Sequence, residues 1–179
     1  LFRRAKKGEE IKILDGQSRK VDENILVIAD ARRPVALAGI MGGMDSAVTF
    51  DTKDIVLESA FFDPAAIAGK SRVLGFGSDS LYRFERGVDY AATAQAMERA
   101  TQLVLDVCGG RAGPVCEART TLPERKPVRL RRARVQRLLG IALTHQQIAD
   151  ILHRLQFTVE ARGDEFSVTP PSYRFDLSI

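Results

Sequence analysis

Cysteine is scarce in this chain, two among 179 residues. Cys108 and Cys116 stand eight apart without CxxC or CxxH spacing around them. That excludes a disulfide framework and a zinc knuckle, and leaves two reduced structural thiols as the expectation. Histidine is equally scarce: His145 and His153 lack a carboxylate or thiol at ligand spacing and read as surface residues, neither metal ligands nor catalysts. No apolar run approaches the ~18 to 20 residues of a membrane span, and the Arg/Lys-rich start has no apolar h-region behind it. Neither an anchor nor a signal peptide is therefore expected, and the chain reads as soluble and cytoplasmic. No Ser/His/Asp order, H-E-x-x-H, phosphate loop ending in Gly-Lys-Ser/Thr, or GxGxxG opening a helix occurs.

What is present is a chain that is 45% hydrophobic and 28% charged, apolar enough to bury a core and not disordered. Its length suits one large domain or two small ones. The formal net charge is +4, unevenly spread. Residues 1–118 hold 16 Lys/Arg against 17 Asp/Glu, whereas residues 119–179 hold 11 against 6. Arg119, Arg125, Lys126, Arg129, Arg131, Arg132, Arg134 and Arg137 face Glu124 as the one acid in their own stretch. Such a run either attracts phosphates or forms a solvated linker and helix face, and charge alone does not choose.

Two domains are the better expectation. Pro123 and Pro127 bracket a charged stretch that follows Gly109, Gly110, Gly113 and Pro114, and proline without an amide proton reads as linker there. The boundaries are 1–118, a linker at 119–127, and 128–179. In the first part, short runs at Ile11–Leu14, Ile25–Ala29, Val35–Ile40 and Ile55–Phe61, punctuated by Asp15-Gly16, Asp30 and Gly42-Gly43, predict strands and turns. Asp63-Pro64 predicts a capped helix through Ala65–Lys70. Asp89 is expected to cap a longer helix with Ala96, Ala100, Leu103, Val104 and Val107 on one face, stopped by Gly109-Gly110. In the second part, Val135, Leu138 and Leu139 predict a short helix ended by Gly140. Thr144 with Gln147 makes a capping box for another helix carrying Ile148, Ile151, Leu152 and Leu155. A hairpin then turns at Gly163-Asp164. The fold class expected is α/β of the α+β kind, a mixed-strand domain with trailing helices followed by a small winged-helix-like domain.

Three segments could carry chemistry. Gly39-Ile40-Met41-Gly42-Gly43-Met44-Asp45-Ser46 follows a strand, and its adjacent glycines permit either a ligand's close approach or simply a tight turn. In the run Ile55–Phe62, Glu58 shares a face with Val56 and Ala60, so it interrupts an apolar surface. Burying an unpaired carboxylate costs several kcal/mol, so Glu58 either meets cations or backbone donors or waits for a ligand hydroxyl or amine. Finally, Gly75-Phe-Gly-Ser78 leads into alternating acids and arginines, Arg83, Glu85 and Arg86, which suit a loop feeding a charged helix turn.

Taken together, Leu26-Val-Ile-Ala-Asp30, Ala38-Gly-Ile-Met-Gly-Gly43, Leu57-Glu-Ser-Ala-Phe-Phe62, Tyr82-Arg-Phe-Glu-Arg-Gly-Val-Asp89, Ala96-Met-Glu-Arg-Ala-Thr101 and Pro171-Ser-Tyr-Arg-Phe-Asp176 strongly resemble the beta subunit of bacterial phenylalanyl-tRNA synthetase. The resemblance implies an internal piece: most of the central editing module and the start of a winged-helix-like module. By the same resemblance the parent is an α2β2 heterotetramer that acts on tRNA(Phe) and uses ATP and Mg²⁺. Phenylalanine activation then lies in the alpha subunit, and this part hydrolyses tyrosyl-tRNA(Phe) made in error. Glu58 would accept the tyrosine phenol, while Gly42, Gly43 and Met41 would wall the ring's pocket. Ser78 would stand near the ester end, where relatives commonly carry Thr. The family's editing histidine would lie upstream of residue 1. Leu81-Tyr82 replaces a Ser-His found in many relatives, so no catalytic role is assigned to Tyr82. Asp176 would be one of several magnesium ligands, the others following Ile179. The rival expectation is a nucleic-acid-docking or structural module without activity of its own.

Overall fold

A computed structural model describes residues 1–177 as two compact units. The first comprises Leu1–Val88 and Ala92–Ala112, and the second comprises Asp89–Ala91 and the chain from Gly113 onward. The architecture is the expected α+β, built from antiparallel sheets with several helices.

In the first unit, β1 (Phe2–Arg4), β4 (Leu26–Ala29), β5 (Pro34–Leu37) and β6 (Met41–Gly42) form one sheet in that order. The strands β2 (Glu9–Lys12) and β3 (Ser18–Val21) form a separate hairpin. Asp15-Gly16 makes its turn, with Gly16 at φ 82° and the Gln17 amide donating to Asp15 Oδ1 at 2.8 Å. An isolated bridge between Ile13 and Gly43 ties the hairpin to the end of β6. Alternation sends Ile11, Ile13, Val21, Ile25, Val27 and Leu37 inward, and Ile13 and Val27 are completely buried. Asp30 turns β4 into β5 by accepting the Arg32 and Arg33 amides, both at 2.7 Å. These bonds hold its carboxyl below the ordinary pKa.

The start of the chain is pinned by Glu9, which takes both guanidinium nitrogens of Arg3 at 2.8 and 2.7 Å and the Lys6 amide at 2.6 Å. Chiefly the Arg3 bond, then the Lys6 amide, lowers the Glu9 pKa to about 2. A depressed carboxylate stabilises the fold above its unfolded pKa, and that contribution is lost as pH falls from ~4.3 through about 2. Being near the surface and screened by solvent, the pair contributes only modestly. Thermal melts of Glu9→Gln should therefore lie below the parent at neutral pH and converge with it in acid. A difference unchanged with pH would contradict this.

Helices follow the strands. Asp63 caps α1 (Pro64–Ile67) through Ala65 at 3.0 Å, as expected. The helix stops short of Lys70, however, because the chain turns at Gly69, φ 75°, and restarts as α2 (Lys70–Leu74). Next come α3 (Asp79–Arg86) and α4 (Thr93–Cys108). Asp89 accepts from the Ala91 amide at 3.0 Å and so caps the 3-10 turn Tyr90–Ala92, while α4 itself begins at Thr93, with Ala92 at its N-cap and no side-chain cap bond. The expected apolar face of α4 is not a buried one. Ala96, Leu103 and Val107 are exposed, and the half-covered side is Met97, Ala100, Thr101, Val104 and Leu105. The expected strand at Ile55–Phe61 is absent as well: the segment belongs to none of the sheets, and among the described residues Lys53 to Ala60 makes no backbone–backbone hydrogen bond. Its composition favours extended chain, but the outer side of the two-residue β6 is already taken, Gly42 accepting the Leu14 amide at 3.1 Å and Gly43 bridging Ile13.

In the second unit, β7 (Val128–Arg131), unforeseen within the basic run, pairs with β9 (Glu165–Thr169), and β9 pairs with β8 (Thr158–Arg162). Two helices accompany this sheet, α5 (Arg132–Leu139), ended by Gly140 at φ 71°, and α6 (His145–Arg154). The capping box of α6 is formed, Gln147 N to Thr144 Oγ1 at 3.2 Å and Thr144 N to Gln147 Oε1 at 2.8 Å. Phe166, Ile148, Phe157 and Val168 make the core. His145 is not simply a surface residue. Its ring stacks on Phe166 at 4.1 Å between centroids, and its Nε2 is buried without a hydrogen-bond partner among the described residues. No described helix is long and apolar enough to cross a membrane.

Candidate functional site

A cleft of about 520 Å³ opens in the first unit where β5, β6, the residue 58–62 segment and the start of α3 meet. Its apolar floor is set by one glycine. Gly39 turns at φ 67°, and a Cβ there would lie 2.9 Å from Phe62 Cδ2 and 3.2 Å from Phe84 Cγ, so only glycine lets the backbone sit on these two rings. The rings pack on each other at 5.1 Å between centroids, tilted by 54°.

Glu58, Ala60 and Phe62 all line the cleft. Alternation thus survives along this segment although no ladder holds it. Its anchors are the Ser59 hydroxyl, which donates to the Thr93 carbonyl at 2.8 Å, and the buried Phe62 ring. Among the described residues, no hydrogen bond or ion pair engages the Glu58 carboxylate. The residue keeps solvent access at the cleft, yet burial of the carboxyl among apolar neighbours raises its pKa above the ordinary value.

The glycine pair divides its work. Met41 and Gly42 line the cleft, Met41 packed against the core. A Cβ on Gly42 would approach Leu14 Cδ1, another lining group, at 3.3 Å. Gly43 lies outside this lining. Its amide donates to the Val35 carbonyl at 2.8 Å, and a Cβ would come within 2.5 Å of that same oxygen, so its missing side chain serves strand approach.

Ser78 does line the cleft, but its hydroxyl is committed. It donates to the Ile40 carbonyl at 2.6 Å and accepts the Leu81 amide at 3.0 Å as the cap of α3. The loop leading to it is steadied by Phe76, whose ring lies 5.2 Å beneath the Arg19 guanidinium. Two lining residues passed over in the sequence follow directly, Asp79 and Ser80. The cap at Ser78 that starts α3 is the signal that could have found them, since it turns the first helical turn toward the cleft.

Elsewhere, Asp176 is bound by Arg174 through two bonds of 2.9 and 3.0 Å, which lower its pKa. No group of three or more His, Cys, Asp or Glu able to hold a metal occurs among the described residues. With its carboxylate engaged by a guanidinium and no companion acids among the described residues, Asp176 does not fit a magnesium site by itself. The basic run is also less bare than its sequence suggests. The β7–β9 pairing brings Glu165 to Arg129 at 3.0 Å, and Asp164 lies 3.9 Å from Arg132. Among the described residues, Arg131, Arg134 and Arg137 carry no ion pair.

Comparison with known proteins sets these features in a lineage. Residues 1–109 match the B3/4 domain, and residues 128–179 match the tRNA synthetase B5 domain. The chain is 56% identical over 178 residues to the phenylalanine–tRNA ligase beta subunit of Nitrosospira multiformis, covering 99% of this chain and 22% of that protein. It is 52% identical over 177 residues to that of Dechloromonas aromatica, again 99% and 22%, and 53% identical over 178 residues to that of Cupriavidus pinatubonensis, 97% and 22%. The chain therefore spans about a fifth of the length of these curated relatives.

Proposed function

The chain belongs to the B3/4 domain family, joined to a tRNA synthetase B5 domain as in phenylalanine–tRNA ligase beta subunits, and from that premise we propose that its first unit removes tyrosine wrongly esterified to tRNA(Phe). The carrying observation is the Glu58 carboxylate, unpaired among the described residues and placed in the lining of a largely apolar cleft. Tyrosine and phenylalanine differ by one hydroxyl, and an apolar pocket rejects an added hydroxyl poorly. A site that hydrogen-bonds the hydroxyl rejects the analogue lacking it strongly. An acceptor in an otherwise greasy cleft is the chemistry such a second sieve needs.

In this reading Glu58 accepts the phenolic O–H, Met41 and Gly42 flank the ring, and Ser78 holds the cleft's shape near the ester. Gly43 supports that wall from behind. A water oxygen bonds to the acyl carbon and the bond to the ribose oxygen breaks. The ribose oxygen gains a proton, and the released acid ionises to a carboxylate. The water is held by backbone groups and the terminal ribose, with no protein nucleophile. The division at 119–127 belongs to this reading, as do an alpha subunit partner in an α2β2 enzyme, ATP and Mg²⁺ for phenylalanine activation, Asp176 as a metal ligand once companion acids join it, and a cytoplasmic site of action. No step derived for this cleft runs through ATP or the metal.

The test is deacylation of tyrosyl-tRNA(Phe) and phenylalanyl-tRNA(Phe) by the α2β2 enzyme carrying this sequence. Tyrosyl-tRNA should be cleared faster, without a covalent tyrosyl-enzyme. Equal clearance of both would sink the reading. The docking alternative rests on the unpaired Arg131, Arg134 and Arg137. It requires tRNA binding that weakens steeply with salt while tyrosine preference is missing.

A further inference from the structure

Besides Glu58, the cleft carries a second acid. Asp79, the first residue of α3, lines the cleft, is exposed, and makes no side-chain hydrogen bond or ion pair among the described residues. No Lys, Arg or His occurs in the described lining. Ser78 has spent its hydroxyl proton on the Ile40 carbonyl, so toward a ligand it can only accept. Ser80 alone among the lining side chains keeps a free hydrogen-bond donor. The cleft thus offers an apolar body and two uncompensated carboxylates, and its complement is an apolar or aromatic molecule that brings its own donors and a positive charge.

Resting on the editing reading, we propose that Asp79 is a specificity-determining residue that binds the α-ammonium group of the aminoacyl ester and selects the ester over the free amino acid. An aminoacyl ester carries the ammonium and no carboxylate, so it enters as a cation. Hydrolysis creates a carboxylate one carbon from that ammonium. Asp79 attracts the substrate and repels the acid end of the product, which favours release after each turnover. The first turn of α3 also suits an acid on helix-dipole grounds, and the test has to separate that structural role from ligand recognition.

Calorimetric titration of the full chain at about pH 6.5, where an α-amino group is protonated, with L-tyrosinamide, free L-tyrosine and L-phenylalaninamide does so. Tyrosinamide should bind about tenfold tighter than tyrosine, because both carry the ammonium and only the acid brings a carboxylate for Asp79 to repel. Asp79→Asn should abolish that ratio and Asp79→Glu should restore it, while the tyrosinamide to phenylalaninamide ratio, which belongs to Glu58, stays unchanged in both. A purely structural Asp79 would change the melting temperature and leave the amide to acid ratio alone, which overturns the inference. A tyrosine preference without any amide preference overturns the inference and spares the editing reading. Equal binding of tyrosinamide and phenylalaninamide, or no binding of any of the three, overturns both.

Discussion

Glu58→Ala should reduce the preference for tyrosyl-tRNA(Phe) over phenylalanyl-tRNA(Phe) by ~10 to 100-fold, the worth of a charged hydrogen bond to one hydroxyl. Hydrolysis itself should persist, because in the proposed reading the carboxylate reads the ring and does not attack the ester. Glu58→Gln separates charge from shape, since it keeps the volume and an acceptor but loses the anion. The preference should also depend on pH. Burial raises the Glu58 pKa, so the phenol loses its ionised acceptor as pH falls, beginning above the ~4.3 of an ordinary glutamate. The same shift sets the sign for stability. A carboxylate with a raised folded pKa favours the fold when protonated and loses that contribution as pH rises through the folded value. Glu58→Gln should therefore gain stability relative to the parent at alkaline pH and not at acid pH. An unaltered tyrosine preference in Glu58→Ala would remove Glu58 from the site.

The adjacent glycines should respond in opposite ways. Gly43→Ala places a Cβ within 2.5 Å of the Val35 carbonyl, against backbone that can yield only by breaking the Gly43–Val35 bond. A loss of about 3 kcal/mol is expected, seen as a fall of ~10 °C or more in melting temperature. Gly42→Ala meets only Leu14 Cδ1 at 3.3 Å, the tip of a half-exposed side chain, and should cost under ~1 kcal/mol. Lengthening position 42 to valine should instead narrow the cleft and slow tyrosyl-tRNA clearance with little change in melting. Should Gly43→Ala melt like the parent and fail only in activity, the division of roles between the two positions would be wrong.

Much of the fold was legible because local chemistry dictated it. Asp15-Gly16, Asp30, Asp63-Pro64, Gly140, Thr144 with Gln147, and Gly163-Asp164 each fix a turn or cap through their own side chains or backbone freedom. Failures came where a distant partner decides. Whether Ile55–Phe61 joins a sheet depends on a free edge, and that of β6 is taken by Ile13 and Leu14. Which side of α4 is covered depends on what packs there, and periodicity reports only that apolar residues cluster. The acids that temper the basic run stand on the far side of a hairpin, more than thirty residues along the chain. At the cleft, the unusual carboxylate and the glycine pair could be picked out of the sequence. Assigning separate duties to Gly42 and Gly43 required the Val35 oxygen, and Asp79 became visible only once α3 had a position.

Among the described residues, the chain from Lys53 to Ala60 passes beside the cleft without a backbone–backbone hydrogen bond, and Glu58 rides on it. Amide protons of Val56, Leu57 and Glu58 should accordingly exchange with deuterium far sooner than those of β4 and β5.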